Sequence, residues 1–276
     1  MATMLSRDLA AKALDTNAAL LALTCEQVEA DGALWVHDRE SPDIYDANHA
    51  QRITASTPAG IERLLARAER EYAHCNHRRF QVDFRTSPLV SARLALDGYA
   101  RDDGLMMVLQ GELRAPPIEH DVRPVITDKD WEAYAVLKAA DWEEHRRRLP
   151  DPKPGSEIAE AFVRIYRRKA PDVQYFMAYV DGRPTAFFSS WPGVDGVGQV
   201  EDLFTLPEWR RRGLATALMR RCVRACRERG AAQVAIACDP SDTPKQIYAA
   251  MGFVPAALDM RYLKRLDKPA APSAAA

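Results

Sequence analysis

An arginine-rich turn followed by small residues is the most specific chemical pattern in the sequence. The stretch VEDLFTLPEWRRRGLATALMRR, residues 200–221, predicts a strand, a tight turn and the start of a helix. Backbone N–H groups in the first turn of a helix have no partner within that helix, and the helix dipole adds partial positive charge. Gly213 and Ala215 would let an anion approach this backbone, and arginine side chains would add charge-assisted hydrogen bonds. The pattern therefore predicts an anion-binding site.

This turn lacks the marks of two common nucleotide-binding loops. It has neither the Lys-Ser/Thr pair of a P-loop nor the GxGxxG pattern of a dinucleotide-binding fold. The chain as a whole has 38 Lys and Arg against 39 Asp and Glu, a net charge of -1, which favours neither nucleic acid nor an anionic membrane as partner. A solvated surface turn is the alternative interpretation of the arginine run.

The residues around the turn resemble the signature of the GNAT superfamily of acyl-CoA-dependent N-acyltransferases. That signature is Arg/Gln-x-x-Gly-x-Gly/Ala after a strand, typically preceded by Pro-Glu-aromatic, here PEW at 207–209. The family often carries a tyrosine four residues before a Gly-Phe pair, and this chain has Tyr248 before Gly252 and Phe253. The resemblance covers residues 122 to about 265.

The resemblance implies acetyl-CoA as co-substrate, with its pyrophosphate on the backbone amides of residues 211–216. Its pantetheine arm would pair with backbone in a gap where two parallel strands splay. Ser241 stands where the family often has asparagine before the tyrosine-bearing helix. The cofactor-binding residues implied are Leu203, Phe204, Thr205, Arg210, Arg211, Arg212, Gly213, Leu214, Ala215 and Thr216.

Transfer to an amine requires that one proton leave the nucleophile and that another reach the departing thiolate. An amine with a pKa of about 10.4, the reference value for lysine, is protonated near neutral pH. Glu201, on the strand beside the thioester, is the candidate base. Tyr248, with a reference pKa of about 10, is the candidate acid, and packing on the sheet is its alternative role.

The direction of the Glu201 side chain depends on the strand. Strict alternation places Glu201, Leu203 and Thr205 on one face, and Asp202 with Phe204 on the other. Which of these faces meets the substrate is open from the sequence.

The two halves of the chain share one order of predicted elements. Residues 80–109 and 234–263 both predict a strand, a proline-led helix, a Gly-aromatic pair and a strand, each after an amphipathic helix. The first half has no arginine-glycine turn, and Leu94 stands where the second has Tyr248. We therefore expect an α/β (α+β) fold with two GNAT-like mixed sheets flanked by helices, the N-terminal copy being degenerate. Chance similarity of two α/β halves is the alternative.

A single hydrophobic core usually stops growing at about 250 residues, so a chain of 276 residues favours two domains. The segment ELRAPPIEHDVR, residues 112–123, predicts a linker or an extended crossing between the two halves. We expect a degenerate GNAT-like domain at 1–115, an acetyltransferase domain at 122–266 and a disordered tail at 268–276.

The remaining composition excludes several classes of site. Five cysteines with no CxxC pair and no histidine at ligand spacing indicate reduced thiols and no metal. No stretch approaches the roughly 18 apolar residues of a membrane span, and the N-terminus lacks a signal-peptide pattern. A cytoplasmic protein with no membrane partner is expected, and its oligomeric state is open.

The sequence favours an acetyl-CoA-dependent N-acetyltransferase. The acceptor would be a primary amine of a small molecule or peptide, attacking directly in a ternary complex. A non-catalytic acyl-CoA-binding or sensing module, with a partner-binding N-terminal half, is the alternative. Nucleic-acid binding through the arginine-bearing helix at 213–229 is disfavoured by the near-neutral charge. Loop composition does not identify the amine.

Overall fold

The computed structural model of the protein describes residues 5–147, 155–170, 172–241 and 243–266. The chain divides into unit 1, Met1–Thr24 with Leu105–Ala257, and unit 2, Cys25–Gly104 with Leu258–Ala276. The predicted domains at 1–115 and 122–266 follow the repeated segments rather than these units, and they stay a prediction. The predicted disordered tail, 268–276, lies outside the described residues.

Helices and strands alternate along most of the chain. In chain order the elements are α1 (Arg7–Ala22), β1 (Glu26–Ala30), β2 (Ala33–His37), β3 (His49–Gln51), α2 (Pro58–Glu71), β4 (His77–Val82), α3 (Pro88–Leu96), β5 (Ala100–Leu109), β6 (Asp121–Pro124), α4 (Asp128–Arg146), α5 (Gly155–Lys169), β7 (Gln174–Val180), β8 (Arg183–Val194), β9 (Val197–Thr205), α6 (Leu214–Glu228), β10 (Gln233–Cys238), α7 (Pro244–Ala250) and β11 (Phe253–Arg265).

Unit 1 is a mixed sheet covered by helices. Its strand order is β5-β10-β9-β8-β7-β6, in which β9 and β10 run parallel and the other neighbours are antiparallel. One core cluster joins α6 and α7 to the sheet through Leu218, Tyr248 and Phe253. A second joins α4 to the sheet through Tyr134 and Phe187. The mixed sheet with flanking helices confirms the predicted fold class.

Unit 2 repeats this arrangement on a smaller scale. Its strand order is β1-β2-β3-β4-β11, with β3 parallel to β4 and the other neighbours antiparallel. Helix α2 packs on this sheet through Leu64, in a cluster with Trp35 and Phe80, and all three side chains are fully buried. Each unit therefore has one parallel strand pair next to antiparallel neighbours, as two copies of one α/β segment would.

The last strands of the two repeated segments pair in an order that the repeat does not predict. Within unit 1, β5 pairs with β10, with Val108 opposite Ala235. Within unit 2, β11 pairs with β4, with Tyr262 opposite Phe80. The last strand of each copy therefore pairs with the first strand of the other copy.

Helix α6, which follows the arginine-glycine turn, forms within residues 213–229, the segment that the sequence predicts as a helix. Its apolar stripe is buried, with Leu218 and Cys222 at 0% exposure, while Arg220 and Arg224 are exposed. A stripe of this kind holds a helix on a sheet by burying apolar surface. The N-terminus of α6 is therefore fixed against the edge of β9.

The described part of the chain offers no metal site. No group of three or more His, Cys, Asp or Glu side chains there is arranged to hold an ion, and all five cysteines are free thiols. None of the helices within the described ranges is both long and apolar enough to cross a bilayer.

Unit 2 buries histidine rings in its core. His77 and His37 are 0% and 2% exposed, and His77 Nε2 lies 3.1 Å from the backbone oxygen of Asn48. Burial lowers the pKa of His77 to about 4, and burial is also the main cause that lowers the pKa values of His37 and His74. These rings are therefore neutral in the folded protein at neutral pH.

Acidification should destabilise the protein through His77. Because its folded-state pKa lies below the unfolded value of 6.5, stability is intact above pH 6.5 and falls as the pH drops from about 6.5 to about 4. At 1.36 kcal/mol per pKa unit, the full loss from this ring is about 3 kcal/mol. Urea unfolding at pH 7.5 and pH 4.5 measures it, and His77→Gln should show a smaller difference. An equal difference in this variant would refute the assignment.

Candidate active site

The sheet of unit 1 opens between its two parallel strands. The last pair between β9 and β10 joins Val200 to Ile236. Beyond it, Ala237 and Cys238 pair with β5, while β9 continues along β8 to Thr205. Residues 201–205 therefore border a gap between the two parallel strands.

Strand β9 contains a bulge at the mouth of this gap. Ser189 of β8 lies opposite Glu201, whereas Phe187 lies opposite Phe204, so β9 has one more residue than β8 in this interval. Asp202 has a φ of +66°, in the left-handed region, which is uncommon for a non-glycine residue inside a strand.

The bulge overturns the strict alternation expected for this strand. Glu201 accepts a 2.6 Å hydrogen bond from Gln199 Nε2, and that amide also donates to Asn17 of α1. Leu203 instead packs in the cluster of α6 and α7 on the opposite face. The expectation that Glu201 and Leu203 share a face is therefore wrong, because the extra residue reverses the side-chain direction after Asp202.

The arginine-glycine turn has the backbone conformation of an anion-binding helix start. A short 3-10 turn, Pro207–Trp209, leads into Arg211 with φ of +60° and Gly213 with φ of +86°. Gly213 is the N-cap of α6 and supplies no side-chain cap. The amides of the first turn of α6 are therefore left to a ligand or solvent, which suits phosphate oxygens.

The three arginine side chains of this turn point in different directions. The Arg210 guanidinium forms an ion pair with Glu144 of α4, and its Nε donates to the backbone oxygen of Thr205 at 3.0 Å. The Arg212 guanidinium lies 4.6 Å from the ring centre of Trp209, and Arg211 is exposed. Arg210 ties the turn to the end of β9, so the turn and the gap are held together.

The predicted linker is packed on the turn. His120 Nε2 lies 2.8 Å from the backbone oxygen of Arg212, and Arg220 Nη1 donates to the oxygen of Ala115 at 2.9 Å. A Cβ built on Gly213 would lie 3.0 Å from Ile118 Cδ1. The positive φ at 213 therefore favours glycine, and any larger residue there would also have to displace the Ile118 side chain.

Tyr248 is a core residue on the α6 side of the gap. It is 6% exposed, its ring lies 6.2 Å from that of Phe253, and it shares a cluster with Leu214 and Leu203. Tyr248 therefore lies among the predicted cofactor-binding residues, whereas Glu201 lies on the face covered by α1.

The loop before α7 is braced internally at Ser241. Its backbone N and its hydroxyl both donate to Asp239 Oδ1 at 2.6 Å. Ser241 therefore stabilises the loop that precedes the helix carrying Tyr248.

Sequence reasoning missed a buried charge cluster beside the bulge. Asp202 accepts a 2.7 Å hydrogen bond from Lys138 Nζ and a 2.9 Å hydrogen bond from the Tyr166 hydroxyl. Lys138 Nζ also donates to Asp141 at 2.9 Å. The signal was present in α4, where Lys138 and Asp141 fall at helical spacing from the buried Tyr134.

The charges of this cluster alter one another's titration. Burial would lower the pKa of Lys138, but the carboxylates of Asp141 and Asp202 outweigh it and hold that pKa above its usual value. Burial raises the pKa of Tyr166 well above its usual value, and the charge of Asp202 adds to the effect. Lys138 is therefore a permanent cation beside the bulge.

A comparison with protein families assigns this part of the chain. Residues 134–253, from α4 to the start of β11, match the model of the Acetyltransferase (GNAT) family. This segment is a GNAT domain. The GNAT domain contains the gap, the turn and Tyr248, so the resemblance predicted from the sequence is confirmed, and acyl transfer in general is the chemistry of its family.

Solved structures share the fold over nearly the whole chain. A GCN5-related N-acetyltransferase from Kribbella flavida is 21% identical, with a TM-score of 0.64 and coverage of 95% of this chain and 96% of that one. A functionally unknown conserved protein from Staphylococcus epidermidis is 15% identical, with a TM-score of 0.66 and coverage of 89% and 96%.

A tandem protein also shares this fold. The tandem GNAT protein from the clavulanic acid biosynthesis pathway is 17% identical, with a TM-score of 0.56 and coverage of 80% of this chain and 76% of that one. The search of curated proteins found no match to the chain. At these identities the likeness shows the fold, and the activity of the GNAT domain must be argued from its own residues.

Proposed function

We propose that the protein is an acetyl-CoA-dependent N-acetyltransferase with one active site in the GNAT domain. The observation that carries this proposal is the junction of two features. The gap between β9 and β10 ends where the turn before α6 begins, and Arg210 joins them. An extended thioester with a pyrophosphate at its far end matches this order of binding groups.

The residues of the turn and the gap fit acetyl-CoA. The uncapped first turn of α6, at Gly213 and Leu214, would bind the pyrophosphate, with Arg211 exposed beside it. The backbone of β9 along the gap would pair with the pantetheine arm. The remaining binding residues proposed are Leu203, Phe204, Thr205, Arg210, Arg212, Ala215 and Thr216. When bound, acetyl-CoA supplies an acetyl group activated as a thioester.

The residues that border the gap supply the proton transfers of direct attack in a ternary complex. Glu201 would accept the proton of the attacking amine, through water where the distance requires it, and a backbone N–H of β9 would donate to the developing oxyanion. Tyr248 would donate a proton to the departing thiolate. No covalent bond to the protein is required.

The acceptor that this site would serve is a primary amine of a small molecule or peptide. Lys138 already pairs with Asp202 and Asp141, so Glu201 is the carboxylate that the β9 face would offer to the acceptor, and it suits a cationic amine better than a polyanion. The loops that would select among amines carry no pattern that names one.

The N-terminal copy would have no active site of its own. Leu94, at the position that corresponds to Tyr248, is 1% exposed in the core of unit 2 and carries no proton to donate. We propose a structural role for this copy, residues 1–115, and assign catalysis to the acetyltransferase domain at 122–266.

The burial of Tyr248 favours a second candidate function. A tyrosine that is 6% exposed in an apolar cluster is suited to packing as well as to proton transfer. The GNAT domain would then bind and sense acyl-CoA without turnover, and the N-terminal half would contact a partner.

Calorimetric titration with acetyl-CoA tests the proposal. Both candidates predict binding with one site per chain, and coenzyme A without its acetyl group should also bind, because the turn recognises the pyrophosphate. Absence of heat with millimolar acetyl-CoA would contradict both candidates.

A further inference from the structure

Asp202 holds the β9 bulge in a conformation that a free chain would avoid. Its φ of +66° costs free energy for any residue with a Cβ, and such a conformation persists only where surrounding contacts over-determine it. Here both carboxylate oxygens are engaged. Oδ1 accepts from Lys138 Nζ at 2.7 Å, and Oδ2 accepts from the Tyr166 hydroxyl at 2.9 Å.

Lys138 is itself held rigidly. Its side chain is only 6% exposed, and its ammonium donates to Asp141 as well as to Asp202. The same ammonium lies 4.9 Å from the ring centre of Phe162 and 5.4 Å from that of Phe187. Helix α4, helix α5 and strand β8 therefore all fix the cation that holds the bulge.

The bulge lies at the functional end of the strand. The last β9–β10 pair is Val200 with Ile236, so Asp202 follows two residues after the strands part. Glu201, directly before it, is held through its backbone oxygen by the Ser189 hydroxyl at 2.9 Å. A displacement at Asp202 would therefore move both the base and the backbone that borders the gap.

We propose that Lys138 and Tyr166 are positioning residues for acyl transfer, acting through Asp202. They hold the β9 bulge so that Glu201 and the edge of the gap keep one geometry during reaction. This role rests on the proposed function, because it assigns the gap to the acetyl thioester. Such positioning affects the rate strongly, because a displacement of about 1 Å between a catalytic group and the bound substrate can lower the rate about a hundredfold.

Two substitutions of Asp202 distinguish the effect of its backbone conformation from the effect of its side-chain hydrogen bonds. Asp202→Gly accepts a left-handed φ without strain but removes both hydrogen bonds. Asp202→Asn also tolerates this φ and keeps an oxygen acceptor for one of the two donors. If the bulge needs only a residue that tolerates a left-handed φ, Asp202→Gly will keep wild-type activity. If it needs the hydrogen bonds to Lys138 and Tyr166, Asp202→Gly will lose activity and Asp202→Asn will keep part of it.

A matched pair of tyrosine substitutions tests the hydrogen bond that helix α5 donates to Asp202 through Tyr166. Tyr166→Phe removes the hydroxyl that donates to Asp202. Tyr134→Phe is the control, because Tyr134 is fully buried in the same cluster and its hydroxyl has no hydrogen-bond partner among the described residues. Lys138→Met is set aside, because it leaves Asp141 and Asp202 without their buried counter-charge and would unfold more readily.

The measurement is thiol release from acetyl-CoA, with the amine that reacts fastest with the wild type, together with calorimetric affinity for acetyl-CoA. The calorimetric stoichiometry gives the folded fraction, so kcat is expressed per competent molecule. We expect Asp202→Gly to lower kcat at least about tenfold while the acetyl-CoA Kd changes less than about threefold. Tyr166→Phe should lower kcat by a smaller factor than Asp202→Gly. The kcat of Asp202→Asn should be higher than that of Asp202→Gly, and the kcat of Tyr134→Phe should equal that of the wild type.

The outcomes separate this role from the function on which it rests. Wild-type kcat in Asp202→Gly, or equal effects of Tyr166→Phe and Tyr134→Phe, would overturn the positioning role and leave the acetyltransferase intact. A fall in stoichiometry with unchanged kcat per competent molecule would show a purely structural role. If the wild type does not bind acetyl-CoA, or releases no thiol with any amine, the proposed function fails and this role fails with it.

Discussion

Gly213→Ala is expected to weaken acetyl-CoA binding at least about tenfold, which corresponds to about 1.4 kcal/mol. Gly213 has a φ of +86°, and a Cβ there would meet Ile118 at 3.0 Å. A left-handed conformation costs a residue with a Cβ about 1–2 kcal/mol, so the chain should relax by turning the first amides of α6 away from the phosphates. Calorimetry with acetyl-CoA measures the loss.

Gly230→Ala is the matched control for this prediction. Gly230 follows the other end of α6 with a φ of +97°, and a Cβ there would meet nothing within 4 Å. It should cost about the same stability, roughly 1 kcal/mol, through the same backbone strain, while acetyl-CoA affinity stays unchanged. If Gly213→Ala and Gly230→Ala bind acetyl-CoA with equal affinity, the turn before α6 is not the pyrophosphate site.

Tyr248→Phe is expected to lower kcat about a hundredfold without weakening acetyl-CoA binding, because positioned acids and bases contribute about 10²–10⁴ in rate. Phenylalanine keeps the ring against Phe253 and removes only the proton donor. Steady-state thiol release gives kcat, and calorimetry gives the affinity.

Tyr99→Phe provides a comparison in the other unit. Tyr99 is buried at 8% exposure with its ring edge against Phe80, so the substitution also removes a hydroxyl from a core. It should leave turnover unchanged. If Tyr248→Phe behaves in the same way, Tyr248 is a packing residue and the thiolate leaves with a proton from elsewhere.

Local patterns were sufficient for much of the fold. The arginine-glycine turn and the helix that follows it, α6, could be predicted from residue spacing, because the helix period is set by nearby residues. The likeness of residues 80–109 to 234–263 likewise indicated two α/β units. These features need no knowledge of distant contacts.

Pairings between distant segments could not be predicted in the same way. β5 and β11 have the same place in the two repeated segments, so neither sequence specifies whether β10 pairs with one or the other. The bulge at Asp202 could not be predicted, because the residue pattern of the strand is the same with or without it. Lys138 lies 64 positions before Asp202, and only the fold brings them together.

The proposed reaction of the GNAT domain transfers the acetyl group of acetyl-CoA to a primary amine. Its most direct test is amine-dependent release of the coenzyme A thiol, followed together with mass spectrometry of the amine, across small-molecule and peptide amines. We predict that at least one amine accelerates thiol release and is recovered acetylated, and that Gly213→Ala lowers both signals at acetyl-CoA concentrations below its Kd. Tight binding of acetyl-CoA, with no acetylated product from any amine, would contradict catalysis and assign the domain to acyl-CoA sensing.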